Sequence, residues 1–87
     1  MNIQNWNEER IDEVIYDLEE WMTLVAYEED WLTTEDDDII EIFGSKANYL
    51  EQLIDWVYEH VCSEDIDNVD FWVSHGFTEE EAQEMCQ

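Results

Sequence analysis

Apolar residues return at steps of three and four through two stretches of this chain. Ile11, Val14, Ile15, Leu18, Met22 and Val25 fall on one face of a helix that Asn7 is placed to cap. The pattern predicts an end for this helix between Glu28 and Leu32, with Tyr27 and Trp31 closing over the core. A second long helix is expected after Ser45, its cap, with Ala47, Leu50, Leu53, Ile54, Val57, Tyr58 and Val61 directed inward.

Shorter segments complete the pattern. Thr34 and Asp37 have the spacing of a capping box, and Asp36, Asp37 and Asp38 then occupy a first turn, where free N–H groups and the helix dipole favour negative charge. Ile39, Ile40 and Phe43 are expected to face inward and Gly44 to end the segment. The run IIEIF is also rich in β-branched residues, as a strand would be, but no partner strand stands elsewhere in the chain, so residues 39–43 are read as a short helix. Ser63 is placed to start another helix bearing Ile66, Val69, Phe71, Trp72 and Val73, stopped at Gly76. Thr78 and Glu81 form a second capping box, and Phe77 lies where a hydrophobic staple reaches Ala82. The last helix, about residues 79–86, supplies Ala82, Met85 and Cys86 to the core. With no proline and only two glycines, the expected fold is all-α: a small compact bundle of two long and two or three short helices, forming one acidic domain over residues 1–87.

Charge changes what this bundle is expected to do. Against 26 Asp and Glu stand only Arg10 and Lys46, for a formal net charge of -24. The chain is nevertheless 45% hydrophobic with five tryptophans, which separates it from a disordered acidic tail. Carboxylates four residues apart on one helix face cost roughly 0.2–0.5 kcal/mol per pair, and a net charge of about 2–8 already keeps a small domain soluble. The excess therefore points to a role outside folding. The amino-terminal MNIQNWNEER has no basic region ahead of an apolar run, and no apolar stretch approaches the length of a membrane span. Two cysteines, Cys62 and Cys86, agree with a reducing compartment while leaving one bridge between them open. The expectation is a cytoplasmic protein that anionic membranes and nucleic acid both repel.

The carboxylates also have an order. Glu9, Asp12, Glu13, Asp17, Glu19, Glu20 and Glu28 take the outer arc of the first long helix, and Glu51, Asp55 and Glu59 form a row with an i+4 step, about 6 Å each, on the second. A globule of this length spans about 30 Å, over which duplex DNA carries about 18 phosphates. The charge is of the same order. Asp12, Glu13, Asp17 and Glu20, the cluster Asp36, Asp37 and Asp38, and the row Glu51, Asp55 and Glu59 are therefore the expected phosphate substitutes.

In size, acidity and scarcity of Lys and Arg, the whole chain resembles the small DNA-mimicking inhibitors that bacteriophages and mobile elements direct against host defence, the anti-restriction and anti-CRISPR type. That resemblance implies a non-enzymatic protein acting in the host cytoplasm, often helical and sometimes dimeric. Its expected partner is a basic nucleic-acid-binding protein, such as a restriction endonuclease, a CRISPR effector or a nucleoid protein. An acidic adaptor or chaperone-like protein for a basic partner, and a structural domain adapted to high salt, are the alternative readings.

Other residues carry less chemistry. Trp21 and Trp56 sit at the edges of their apolar stripes, where they are expected to contact a partner or a second copy in a homodimer, whereas Trp72 belongs in or near the core. His60, Cys62, His75 and Cys86 lack the spacing of a structural zinc site. Asp65, Asp67 and Asp70 begin like a calcium loop, but Val69 takes a ligand position and Asp70 stands where glycine is needed. Neither a metal nor another cofactor is expected. Ser45, Ser63 and Ser74 have no nucleophile context, and paired carboxylates are too common here to mark acid–base catalysis. HGFTEEEA at 75–82 resembles the inter-helix turn of ubiquitin-associated domains, although a glycine stop, a staple and a Thr-capped acidic helix account for the same letters.

Overall fold

The computed structural model describes residues 2–24 and 35–86. Among them are six α-helices and no strand: α1 (Glu8–Leu24), α2 (Asp36–Phe43), α3 (Lys46–His60), α4 (Ser63–Ile66), α5 (Val69–Ser74) and α6 (Glu79–Met85). A 3-10 turn over Ile3–Asn5, which the helical pattern did not anticipate, buries Ile3 against the bundle. The fold is the expected small all-α bundle, with a radius of gyration of 12.4 Å and extents of 33 × 30 × 17 Å.

Capping explains most boundaries. Asn7 Oδ1 accepts from the Arg10 N–H at 2.8 Å and opens α1. Ser45 accepts from Asn48 N–H to open α3, and Gly44, at φ 91°, ends α2 with its N–H on the Ile40 carbonyl. Glu35 holds the N-cap position of α2. Thr34, Val25, the expected end of α1 at Glu28–Leu32, and Tyr27 and Trp31 lie outside the described residues. The helix expected from Ser63 to Gly76 is two helices. Asn68 adopts an extended backbone and its side chain accepts from Asp70 N–H at 3.0 Å, a local bond that competes with helix continuation and starts α5 afresh. Ser63 opens α4 as expected, with Cys62 in the N-cap position.

α3 is the central element. It packs on α1, α2, α4 and the 3-10 turn, while α5 pairs with α6. Tyr49, Leu50, Leu53 and Val57 are wholly buried, as are Leu18, Met22, Trp72 and Ala82 from the surrounding helices. Because several elements surround α3, its buried arc is wider than a single stripe. Trp56, expected at the edge, is 4% exposed, and Tyr49 joins it inside. Ile40 shows the opposite departure: it is 53% exposed, because Ile39 and Phe43 fill the inward side of the two-turn α2. Trp72 is core, and its indole N–H donates to the Ile66 carbonyl at 2.8 Å.

The two cations each join helices. Arg10 of α1 makes a two-pronged pair with Glu81 of α6, lies 3.7 Å over the Trp6 ring, and donates to the Gly76 carbonyl. Glu81 also completes the capping box with Thr78, accepting from Thr78 N–H at 2.9 Å while its own N–H reaches Thr78 Oγ1. Lys46, at the start of α3, reaches Glu8 and Asp12 of α1 at 3.3 and 3.0 Å and Asp36 of α2 at 3.2 Å.

Replacing Arg10 by Met removes the α1–α6 tie and is expected to cost about 1.5–3 kcal/mol, the range for hydrogen bonds to charged groups. Urea unfolding followed by circular dichroism measures this. In a double-mutant cycle the Glu81→Gln change then costs less in the Arg10→Met background than alone.

Candidate charged interface

The three acids of the α3 row are all exposed. The buried residues of α3 cover about half of the helix circumference, and Glu51, Asp55 and Glu59 share the exposed arc with Asn48, Gln52 and Tyr58. The apolar pattern thus sorts the acids: positions at about 100° per residue that miss the core are left to carboxylates. On α1 the same sorting exposes Glu9, Glu13 and Glu20.

The other expected phosphate substitutes are placed differently. Asp12 and Asp36 are exposed but hold Lys46, and Asp37 is exposed in the first turn of α2. Asp38 is half-buried. Asp17 is half-buried too, its Oδ2 lying 2.6 Å from His75 Nδ1. That pair links α1 to the end of α5 across 58 residues, and the His75 side chain is 10% exposed with its ring edge-on to Trp21 and Phe71 at 5.2 and 4.9 Å. Trp21 is therefore half-buried against Phe71 and His75, presenting part of its surface. Beside them a cleft of about 390 Å³ is lined by Arg10, Glu13, Asp17, Ser74 and His75. Ser74 Oγ donates to the Phe71 carbonyl at 2.7 Å, within its own helix.

Lys46 shows how strongly the surrounding acids act. Its ammonium is held above the ordinary lysine range, first by the hydrogen bond to Asp12, against partial desolvation, with Asp36 and Glu8 adding to the effect. Glu81 is shifted the other way: Arg10 holds its carboxyl below the usual range, with Thr78 contributing.

Glu19 departs from expectation. Placed by sequence on the outer arc, it is 5% exposed and accepts from Tyr49 Oη at 2.7 Å. Burial raises its carboxyl pKa and the Tyr49 bond partly offsets the rise. The signal was present: Glu19 stands four residues after Ile15 and three before Met22, inside the apolar stripe. No comparable signal announced the Asp17–His75 pair, which tertiary packing alone creates.

His60 stacks on Trp56 at 4.5 Å, His75 is engaged by Asp17, Cys86 Sγ lies 3.4 Å from the Ile66 carbonyl, and both cysteines are free thiols. Among the described residues no group of three or more His, Cys, Asp or Glu is arranged to hold a metal ion, and no helix is long and apolar enough to cross a membrane. No protein-family model, curated protein or solved structure matches the chain.

The two shifted carboxylates give opposite pH dependences. Glu81, lowered in the folded state, contributes stability above its unfolded pKa that is lost as pH falls through its folded value. Glu19, raised in the folded state, favours folding most when protonated, and that contribution is lost as pH rises from the unfolded to the folded value. Glu19→Gln keeps an acceptor for Tyr49 and removes the ionisation. It is expected to raise the Tm at pH 7 and to bring little gain at pH 4. The difference grows by up to about 1.4 kcal/mol per pH unit inside the window. Thermal melts of both proteins across pH 4–7 check this.

Proposed function

We propose that this protein is a non-enzymatic inhibitor that occupies the nucleic-acid-binding cleft of a basic protein by presenting carboxylates where the target expects phosphates. The observation that carries the reading is the disposition of charge. The chain carries a net charge of -24, most of its acids stand on the described helices, and Arg10 and Lys46 are both engaged by acids of neighbouring helices. Among the described residues the exposed acids include the row Glu51, Asp55 and Glu59, which α3 spaces at about 6 Å per step. The bundle's longest extent of 33 Å is one over which duplex DNA carries about 19 phosphates, of the same order as the charge here.

Such a surface attracts a basic cleft over a distance and gains association rate from complementary potential, both diminished by salt. The expected target class is a protein that grips duplex backbone: a restriction endonuclease, a CRISPR effector or a nucleoid protein of a host cell. In that reading the protein acts in the host cytoplasm as an agent of host defence evasion, and nucleic acid itself is not a ligand. Asp12, Asp17 and Asp36 serve the scaffold as well as the surface because each holds a partner side chain. Glu13, Glu20, Asp37, Glu51, Asp55 and Glu59 are the exposed group on which direct contact is expected to fall.

The test is competition. A basic DNA-binding protein captured with this chain is expected to release it as duplex DNA is added. The triple change Glu51→Gln, Asp55→Asn and Glu59→Gln is expected to weaken binding by at least about tenfold at 0.1 M salt, whereas any one of the three alters it by about twofold. Simultaneous, independent binding of this protein and DNA to the same partner contradicts the reading.

A further inference from the structure

A groove of about 370 Å³ opens where the 3-10 turn, α1, α2 and the start of α3 meet. Its apolar lining is Trp6, Ile11, Ile40 and Ala47. Ile11 and Ala47 are buried and form the floor, while Ile40 stands 53% exposed as one wall. Trp6 also lines it and is held by Arg10 over its ring at 3.7 Å and by Phe77 at 5.8 Å between centroids. The 3-10 turn is itself pinned to α3, since Gln4 Nε2 donates to Asn48 Oδ1 at 2.9 Å. A preformed apolar groove of this volume lies at the small end of ligand-binding sites.

The charge around the groove selects its occupant. Lys46 at the rim is surrounded by Glu8, Asp12 and Asp36, three carboxylates to one ammonium. These side chains remain 78, 49 and 67% exposed, so they retain surface for further cations. A second copy of this chain brings another charge of -24 to the same place and is repelled. A basic segment is attracted, and its apolar residue finds a surface that a phosphate array does not offer.

We propose that the groove between Trp6 and Ile40 seats one large aliphatic or aromatic side chain of a basic partner segment, whose flanking Lys or Arg side chains pair with Glu8, Asp12 and Asp36. The inference rests on the reading that the partner is a basic protein, and adds that it is recognised by an apolar anchor as well as by charge. The phosphate backbone of a duplex has no equivalent of that anchor. The contact also persists at salt concentrations that screen the carboxylates, because burial of apolar surface is not weakened by salt.

Two synthetic nine-residue peptides test this, each with four Lys and four Arg around a central Phe or a central Ser. They are titrated into the full chain at 50 and 300 mM NaCl by calorimetry. The Phe peptide is expected to bind about tenfold tighter than the Ser peptide at both salts. Ile40→Ser, a change at an exposed position, is expected to reduce that ratio to about two or less while leaving the Ser peptide's affinity unchanged. Val73→Ser, at an exposed apolar residue on α5, is expected to leave the ratio intact. Equal affinity for the two peptides, or a ratio indifferent to Ile40→Ser, overturns the groove proposal. If that equality comes with strong, salt-sensitive binding of both, charge imitation survives; if neither peptide binds at 50 mM, both ideas fall. A dimer seen by sedimentation in the wild type and lost in Ile40→Ser also overturns the proposal, giving the groove to a second copy.

Discussion

Mutual repulsion among carboxylates is the constraint this structure must overcome, and two cationic side chains oppose it. Arg10 and Lys46 each bind acids from a different helix, so each pair removes a local repulsion and closes an interface at once. Lys46 gathers the amino-terminal ends of α1, α2 and α3, and Arg10 joins α1 to the capping box of α6. Exposed ion pairs in ordinary proteins contribute about 0–1 kcal/mol. Here the side chains of Arg10, Glu81 and Lys46 are 27, 17 and 12% exposed, and neighbouring anions have no other cation of this kind to share.

The apolar core does the rest of the ordering, and in doing so it sorts the acids. Because α3 is surrounded on several sides, its only open arc carries Glu51, Asp55 and Glu59. Core geometry and surface charge are thus one design: the wider the buried arc, the narrower and more regular the acidic row. Where that sorting fails, the acid acquires a partner inside. Glu19 takes Tyr49, and the half-buried Asp17 takes His75 between two aromatic rings. Among the described residues no buried side-chain nitrogen or oxygen lacks a hydrogen-bond partner.

The sequence revealed what depends on local spacing and concealed what depends on packing. Both long helices, the helical state of IIEIF, and the Thr78–Glu81 capping box follow from periodicity and cap chemistry, and the structure has them. The break at Asn68 was also local in origin, but an Asn cap inside an apolar-periodic stretch competes with continuation too evenly for the pattern to decide. Trp56 and Ile40 were misplaced for a different reason: how much of a helix is covered depends on how many neighbours it has, which no single helix encodes. The Asp17–His75 pair and the Trp6–Ile40 groove join residues far apart in the chain and became visible only once α1, α2 and α5 were in place.

The account depends on these helices being formed before any partner arrives and without concentrated salt to screen the carboxylates. Far-UV circular dichroism with thermal melts in 0.1 M and 2 M KCl measures this directly. An all-α spectrum of full amplitude at 0.1 M, with a cooperative transition that only shifts upward in 2 M, is the predicted result. A chain that is unfolded at 0.1 M and gains its helices only in molar salt contradicts it, and makes the acidity an adaptation to brine instead of an instrument of recognition.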